Sequence, residues 1–296
     1  MTGGTGFIGR ELCSRLIRDQ HDITILTRQP DRVAKQFGHG VRSLKSLSER
    51  TPGDTFDAII NLAGEPIMAR RWTAERKRIL FESRVTLTSD LVEGMARTTS
   101  RPSVFISGSA IGIYGNQGDS LLDEHHSGGQ GYAHDLCLAW EQAARGAETL
   151  GIRTCLLRTG LVVGRNGGFL QQMLPAFRYG LGGQIGSGSQ WMSWIHLQDE
   201  IGIIMHLLTD NSAHGAFNAT APNPVTNRDF TRLLARQLHR PALVPLPAWL
   251  LKYGMGERAE LLLDSQRVIP NRIQALGYEF VHPTLSTTLQ DILGVE

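Results

Sequence analysis

The stretch TGGTGFIG, Thr2 to Gly9, decides the fold of this chain of 296 residues. Its glycines follow the spacing GxxGxxG from Gly3 and GxGxxG from Gly4, and both patterns end at Gly9. The early glycines permit a tight turn and a close approach of the backbone to phosphate, and the last lets a helix pack on the sheet. A pyrophosphate would lie at the N-terminus of that helix, where unpaired N–H groups favour anions. The stretch therefore predicts a dinucleotide-binding loop.

The residues that follow have the pattern of a helix and then a buried strand. Apolar residues recur at helical spacing between Gly9 and Ile17, and Ile23–Thr27 is a β-branched run typical of a parallel strand. We therefore predict an α/β protein with a Rossmann-type doubly wound parallel sheet. Only Met1 precedes the loop, although the first strand of such a sheet is central. We expect a start codon assigned a few residues late, or a trimmed chain.

The end of the second strand indicates which dinucleotide is bound. NAD sites carry Asp or Glu there, about 20 residues after the glycines, to bond the ribose 2′-hydroxyl. Here the strand ends in Thr27-Arg28, and Asp31 falls in the next turn. The guanidinium of Arg28 suits a 2′-phosphate, the hydroxyl of Thr27 could add a bond, and Arg10 and Arg32 could assist. The sequence favours NADP (NADPH) over NAD, the alternative being an exposed arginine at a strand end.

Composition excludes several classes of protein. The net charge is +2 without a basic cluster, which argues against a nucleic-acid partner. No apolar run approaches the roughly 18 residues of a membrane helix, and no secretory signal begins the chain. The three cysteines form no CxxC pair, so we expect buried, reduced thiols and a cytoplasmic location.

The remaining patterns divide the chain at residue 235. Residues 1–235 form the predicted nucleotide-binding domain, which includes part of the substrate region, and 236–296 form a small, mostly helical C-terminal unit. Within the first domain we predict strands in 56–66, 103–115, 154–158 and 217–219, and a short strand in SWIH. We predict helices over 72–97, 132–150, 199–208 and 227–238. Loops are predicted over 119–131 and 180–190. The turn Leu62-Ala63-Gly64 would let the backbone approach the cofactor.

Several long motifs resemble a known family. TGGTGFIG, DAIINLAG, SGSAIGIYG and LLRTGLVVG are similar to the extended short-chain dehydrogenase/reductases, the superfamily of nucleotide-sugar epimerases. NLAGEPI, RRW, LLRTGLVVGRNGG and SWIHLQDE resemble an atypical branch that carries a C-terminal domain of unknown function. Members are usually labelled "epimerase family protein", with no substrate generally established. The resemblance implies a Rossmann fold with bound NADP, and related enzymes often form homodimers through a helix pair like 72–97 and 132–150.

The resemblance also implies a set of cofactor-binding residues. Those expected along the pyrophosphate are Gly3, Gly6, Phe7 and Ile8. Those expected at the adenosine phosphate are Thr27 and Arg28. Those expected along the adenosine and ribose are Leu62, Ala63, Gly64 and Glu65. Arg84 is expected near the cofactor, and Val163 near the nicotinamide.

Catalytic residues are harder to assign from the resemblance. The extended family uses Ser or Thr with Tyr and Lys, the last two spaced YxxxK, and the lysine lowers the pKa of the tyrosine. Ser109 and Tyr132 match the first two positions, but Leu136 stands where the lysine belongs. One interpretation is an oxidoreductase or epimerase with a rearranged acid, drawn from Tyr132, Tyr114, His134 or His196. The alternatives are an NADP(H)-binding redox sensor or interaction protein without turnover, and a structural relic.

The substrate and metal predictions are the least specific. A small molecule, resembling a nucleotide sugar if the family is a guide, is the expected partner. Candidate residues for an anionic or aromatic ligand are Arg178, Gln190, Trp191 and Trp194, unless this segment merely packs on the C-terminal unit. His125-His126 lack metal-ligand spacing, so we predict no metal site.

Overall fold

The structure, a computed structural model, describes residues 1–38, 40–51 and 53–294. Its strands are β1 (Thr24–Leu26), β2 (Arg42–Leu44), β3 (Ala58–Asn61), β4 (Val104–Ala110), β5 (Leu121–Leu122), β6 (Arg153–Thr159), β7 (Leu161–Gly164), β8 (Trp191–Met192), β9 (Trp194–His196), β10 (Gly215–Ala219), β11 (Val225–Thr226) and β12 (Arg267–Val268). Parallel pairing gives one series β10-β6-β4-β3 and a second pair β1-β2. This is the predicted Rossmann-type parallel sheet.

Helices cover both faces of this sheet. The helices in the described residues are α1 (Phe7–Arg18), α2 (Pro30–Phe37), α3 (Ala74–Phe81), α4 (Leu87–Ala96), α5 (Tyr132–Arg145), α6 (Gly168–Arg178), α7 (Leu197–Thr209), α8 (Asn227–Gln237), α9 (Ala248–Met255), α10 (Glu260–Leu263), α11 (Asn271–Ala275) and α12 (Leu285–Leu293). Helices α1 and α7 contact each other, as do α4 and α5. Residues of α1 and α7 share an apolar cluster with one side of the sheet, and Met95 of α4 and Ala144 of α5 share another with the opposite side. No described helix is long and apolar enough to cross a membrane.

Met1 and Thr2 lie where the first strand of such a sheet belongs. Thr2 forms parallel bridges to Leu26 of β1 and to Asn61 of β3, and so joins the two parts of the sheet. The backbone N–H of Thr2 donates to Ile60 O at 2.9 Å, and Met1 O accepts from the N–H of Leu26 at 2.8 Å. Thr2 is an isolated bridge residue rather than part of a strand, but Met1 and Thr2 deliver the glycine loop to the carboxyl end of the sheet.

The single helix predicted over 72–97 is wrong in detail. The helical segment begins after Thr73, whose hydroxyl accepts from the N–H of Arg76 and caps α3. A π-helical turn at Glu82–Thr86 then separates α3 from α4. Such turns are frequent at functional sites because the extra residue shifts the side chains that follow. This turn carries Ser83 and Arg84, two residues beside the cleft described below.

The C-terminal unit contacts the two segments that were predicted as loops. Within 119–131 the short strand β5 pairs with β12, so that prediction is corrected. In 180–190, Leu181 bridges Ala242 and Ile185 bridges Leu246, which ties the segment to the C-terminal unit. The helix predicted over 132–150 ends as α-helix at Arg145 and continues as a 3-10 turn. The three cysteines are buried and reduced.

Candidate cofactor site

The glycine loop is packed so closely that side chains would not fit. Gly3 adopts φ +69°, and a Cβ there would lie 2.5 Å from Leu62 O. A Cβ on Gly9 would lie 2.2 Å from Gly3 O. The loop therefore touches the turn after β3 on one side and the first turn of α1 on the other. This leaves the free N–H groups at the N-terminus of α1 facing the carboxyl end of the sheet, as a pyrophosphate requires.

A cleft of about 1200 Å³ opens at this edge of the sheet. Eight of the predicted cofactor residues line it: Gly3, Gly6, Thr27, Arg28, Leu62, Ala63, Gly64 and Glu65. Its outer wall continues through Lys45–Ser48 and along the π-helical turn into α4. The cleft is thus large enough for a dinucleotide. The sequence prediction placed these eight residues around one opening, and the structure brings them together.

Thr27 and Arg28 follow β1 at the mouth of this cleft. The hydroxyl oxygen of Thr27 accepts from the N–H of Gln29 at 3.1 Å, which leaves its O–H group able to donate. The Arg28 side chain is 88% exposed, and its Nη2 donates to Glu65 Oε1 at 2.9 Å. The arginines beside Glu65, first Arg28 and then Arg76, lower the pKa of its carboxyl. The Glu65 carboxyl is therefore ionised at neutral pH.

The turn after β3 is held by the π-helical turn. The N–H of Glu65 donates to Ser83 Oγ at 3.1 Å, and Arg84 Nη2 donates to Glu65 O at 3.0 Å. The Arg84 guanidinium also lies 5.4 Å from the ring centroid of Trp140 and would be 2.9 Å from a Cβ on Gly64. Arg84 therefore sits behind the turn and supports it, rather than lining the cleft.

Phe7, Ile8 and Val163 also do not line the cleft in the described structure. The Phe7 ring packs under the turn after β7, where a Cβ on Gly167 would be 2.2 Å from it. Ile8 packs against the apolar cluster of α1 and α7. Val163 is fully buried in a different cluster. Any contact of Phe7 or Ile8 with a pyrophosphate would therefore come from the backbone N–H groups of α1.

Ser109 is part of a buried polar network. Its Oγ donates to Glu141 Oε1 at 2.8 Å, and the same carboxylate pairs with Arg158 at 2.8 and 3.0 Å. Arg158 also donates to the hydroxyl of Tyr114, which donates to Asn218. The sequence analysis did not single out Glu141 or Arg158. Each is a charged residue on the buried and mostly apolar side of its element, α5 or β6, and this pattern is the signal that could have indicated the pair. The Ser109 hydroxyl is therefore buried under α5 and donates its hydrogen bond to Glu141 of that helix.

Tyr132 does not share the hydrogen-bond network of Ser109 in the described structure. Its hydroxyl donates to Lys77 O at 3.0 Å, and its ring packs edge-on against Trp72, with centroids 4.8 Å apart. The pair belongs to an apolar cluster that Leu261 of the C-terminal unit covers. Burial raises the pKa of Tyr132, the opposite of what an acid or base near neutral pH needs. The two predicted catalytic hydroxyls are thus bonded to different structural partners, and their roles stay predictions.

The alternative acids are also committed to structural bonds. Tyr114 is 1% exposed, and burial raises its pKa to about 12. His134 Nδ1 bonds Ile113 O. His196 Nδ1 accepts from the N–H of Gln198 and so caps α7. In this form none of the three has a free group directed into the cleft.

His196 belongs to a cluster of possible metal ligands whose members are far apart in the sequence, so the sequence analysis did not predict it. His196, His282 and Asp291 place possible metal-ligand atoms within 4.8 Å of one another, with the two rings 3.8 Å apart. Because His196 Nδ1 accepts a backbone N–H, the proton of the neutral ring is on Nε2, the atom that faces Asp291. A protonated nitrogen does not ligate a metal. Burial and the His282 ring lower the pKa of His196 to about 4, so His196 is neutral at pH 7.

The predicted substrate residues are mostly structural. Gln190 donates to Ile185 O and Leu262 O, and Trp194 is fully buried with its Nε1 bonded to Asn223 O. Trp191 donates to Asp119 and stacks with Arg267. Arg178 is exposed at the end of α6. The bond from Gln190 to Leu262 ties the 180–190 segment to the C-terminal unit, as in the alternative interpretation of this segment.

Glu200 is a buried carboxyl that the sequence analysis did not single out. It is fully buried on α7, where Oε1 accepts from Thr159 Oγ1 at 2.8 Å at the end of β6. Its Oε2 has no hydrogen-bond partner among the described residues. Burial raises its pKa to about 8, so the group is neutral at pH 7. A glutamate directly after Asp199 in the pattern HLQDE reads as an exposed first-turn residue, which is why it was missed.

We expect Glu200→Gln to be increasingly more stable than the parent protein as pH rises. In the unfolded chain the carboxyl ionises near pH 4.5, whereas the folded group keeps its proton to about pH 8. The unfolded state therefore binds fewer protons in this window, and the stability of the parent falls across it. Urea unfolding at pH 5 and pH 8 should show the variant gaining a few kcal/mol at the higher pH. The exposed Glu279→Gln is the control, and equal slopes with pH for variant and parent would refute the assignment.

Fold and site together define a dinucleotide-binding protein of the Rossmann class. The profile of the NAD dependent epimerase/dehydratase family matches residues 1–219, and that of a domain of unknown function (DUF1731) matches residues 246–292. The chain therefore belongs to the NAD-dependent epimerase/dehydratase family. The resemblance found in the sequence is thereby confirmed.

Named relatives place the chain within that family. It is 38% identical to the chloroplastic "epimerase family protein SDR39U1 homolog" of Arabidopsis thaliana, over 99% of this chain and 86% of the relative. It is 36% identical to an epimerase family protein of Staphylococcus aureus, over 99% and 98% of the two chains. The crystal structure of human epimerase family protein SDR39U1 with NADPH matches with a TM-score of 0.89 and 35% identity, covering 99% of this chain and 97% of the human one.

Proposed function

We propose that this protein binds NADP(H) in preference to NAD(H) and acts as an oxidoreductase or epimerase on a small, nucleotide-sugar-like molecule. The observation that carries the cofactor choice is Arg28, exposed at the mouth of the cleft with no acid at the end of β1. The human relative solved with NADPH supports the same choice. Bound NADPH would supply the hydride for a reduction, whereas bound NADP⁺ would accept a hydride and return it in an epimerisation. The buried, reduced cysteines fit a reducing compartment such as the cytoplasm.

The residues of the cleft fit such a cofactor. The glycine cradle, which a single Cβ would fill, leaves room for the pyrophosphate against the N-terminus of α1. Thr27 and Arg28 would hold the 2′-phosphate, and Leu62–Glu65 would lie along the adenosine and its ribose. Arg84 would act only through this turn, as a positioning residue.

Arg28→Ala tests the cofactor assignment. Removing charge-assisted hydrogen bonds to a phosphate, which contribute about 1.5–3 kcal/mol, should weaken NADPH binding about 10- to 100-fold. NADH, which lacks the phosphate, should bind nearly as before. Fluorescence titration of both nucleotides measures this, with Arg18→Ala at the exposed far end of α1 as the control. An equal loss for NADPH and NADH would refute the role of Arg28.

A second candidate function is NADP(H) binding without turnover, as in a redox sensor. It is favoured by the commitment of Ser109 to Glu141 and of Tyr132 to Lys77 O. The protein saturated with NADPH should be offered a panel of nucleotide sugars and small carbonyl compounds while NADPH oxidation is followed. Oxidation that Arg28→Ala suppresses would support the enzyme. Because an epimerase returns the hydride and consumes no cofactor, the panel is also incubated with the NADP⁺-loaded protein and analysed for epimers. Tight binding with neither NADPH oxidation nor an epimer across the panel would favour the sensor.

A further inference from the structure

An ion pair crosses the mouth of the cleft. It joins Arg28, at the end of β1, to Glu65, in the turn after β3, with Nη2 and Oε1 2.9 Å apart. Arg28 makes no other side-chain hydrogen bond in the part of the chain that the structure describes. Both residues line the cleft. The pair therefore stands where the adenosine end of a dinucleotide would enter.

Glu65 is fixed from the opposite side. Its Oε2 lies 3.3 Å from Nη1 of Arg76, which is only 8% exposed and whose Nη2 donates to Pro66 O. Its backbone N–H and C=O are bonded to Ser83 and Arg84. The carboxylate can therefore lose Arg28 and still keep a buried arginine as its partner. Arg28, in contrast, is free to turn towards another anion.

A 2′-phosphate and the Glu65 carboxylate would compete for the same guanidinium. A dianionic phosphate accepts two parallel bonds from an arginine fork, whereas the fork now gives one bond to Glu65. A carboxylate left at that distance from Arg28 would also repel the phosphate oxygens. NAD(H) carries no such phosphate and would leave the ion pair intact.

We infer that Glu65 is a specificity-determining residue that holds Arg28 in the cofactor-free protein and yields it to the 2′-phosphate of NADP(H). This exchange rests on the proposed function, because it requires NADP(H) to bind at Arg28. Glu65 thereby weakens the binding of NADP(H) relative to that of NAD(H), which requires no such exchange. Arg28 determines which of the two cofactors binds more tightly, and the Glu65 carboxylate reduces the ratio of their affinities.

Glu65→Gln tests the exchange, since it keeps the shape of the side chain and removes its charge. Exposed ion pairs contribute about 0.2–1 kcal/mol, so we expect the affinity for NADP⁺ to rise by up to about fivefold relative to the affinity for NAD⁺. Calorimetric titration with NADP⁺, NAD⁺ and adenosine 2′,5′-bisphosphate gives the affinities. Glu148→Gln, which removes a similar exposed pair with Arg145, is the control. Glu65→Asp, with a shorter reach to Arg28, should fall between the parent and Glu65→Gln.

The ratio of the two affinities separates this role from a structural one. If Glu65 only braces the turn, Glu65→Gln will weaken NADP⁺ and NAD⁺ together, and the exchange is refuted. It is also refuted if the ratio is unchanged while Arg28→Ala still lowers NADP⁺ affinity, and in that case the proposed function stands. If Arg28→Ala also leaves the ratio unchanged, the proposed cofactor preference is refuted, and the exchange, which depends on it, is refuted with it.

Discussion

Glu141→Ala is expected to destabilise the protein by about 3–5 kcal/mol, the cost of removing one partner from a buried ion pair. Glu141 and Arg158 are 3% and 7% exposed, and their two hydrogen bonds join α5 to β6 at the centre of the sheet. The variant leaves a buried guanidinium without its counter-ion and takes the acceptor from Ser109. Urea unfolding followed by circular dichroism measures the loss.

Two comparisons make this expectation specific. Glu148→Ala, at an exposed pair just beyond α5, should change the free energy of unfolding by less than about 1 kcal/mol. Replacing both members, Glu141→Leu with Arg158→Met, should recover much of the loss because neither charge is then buried alone. A loss below 1 kcal/mol for Glu141→Ala would mean that the network is not closed in solution.

Gly9→Ala is expected to reduce NADPH affinity by about a hundredfold or more, equivalent to at least about 3 kcal/mol. Gly9 lies within α1, where alanine is otherwise the better helix former. Its Cβ would be 2.2 Å from Gly3 O and 2.8 Å from Gly4 Cα, so the loop itself must move. Overpacking of this kind also costs about 1–3 kcal/mol of stability. NADPH titration and thermal unfolding measure the two effects.

Gly254→Ala is the matched control. Gly254 lies within α9, and nothing stands within 4 Å of the position of its Cβ. This substitution should leave NADPH binding unchanged and stabilise the protein by up to about 1 kcal/mol. Gly9→Ala with parental affinity for NADPH would contradict the close packing of the loop.

The sequence predicted the sheet and much of the cleft because both depend on local patterns. Glycine spacing, β-branched runs and the small-residue turn after β3 all depend on neighbours in the chain, and each led to the correct carboxyl edge. The break at Glu82–Thr86 was not predictable, because a π-helical turn has the same apolar periodicity on either side as a continuous helix. Its effect, to bring Ser83 and Arg84 behind Glu65, is visible only in three dimensions.

The family resemblance did not predict the contacts of a side chain where its orientation depends on residues far away in the chain. Ser109 stands at a position that the family uses for catalysis, yet its orientation depends on Glu141, which is 32 residues away. Val163 lies within β7, shortly after β6, and is buried in an apolar cluster with residues of α6, α8 and α12. The single ion pair at Arg28 was equally hidden, because Glu65 lies 37 residues further along the chain.

The most direct test of this account is a side-by-side equilibrium titration of the unmodified protein with NADPH and NADH. The geometry at Arg28 predicts that NADPH binds at least about tenfold more tightly, since the phosphate adds charge-assisted hydrogen bonds to one end of an otherwise shared ligand. Equal affinities, or tighter binding of NADH, would contradict the assignment of the cleft as an NADP(H) site.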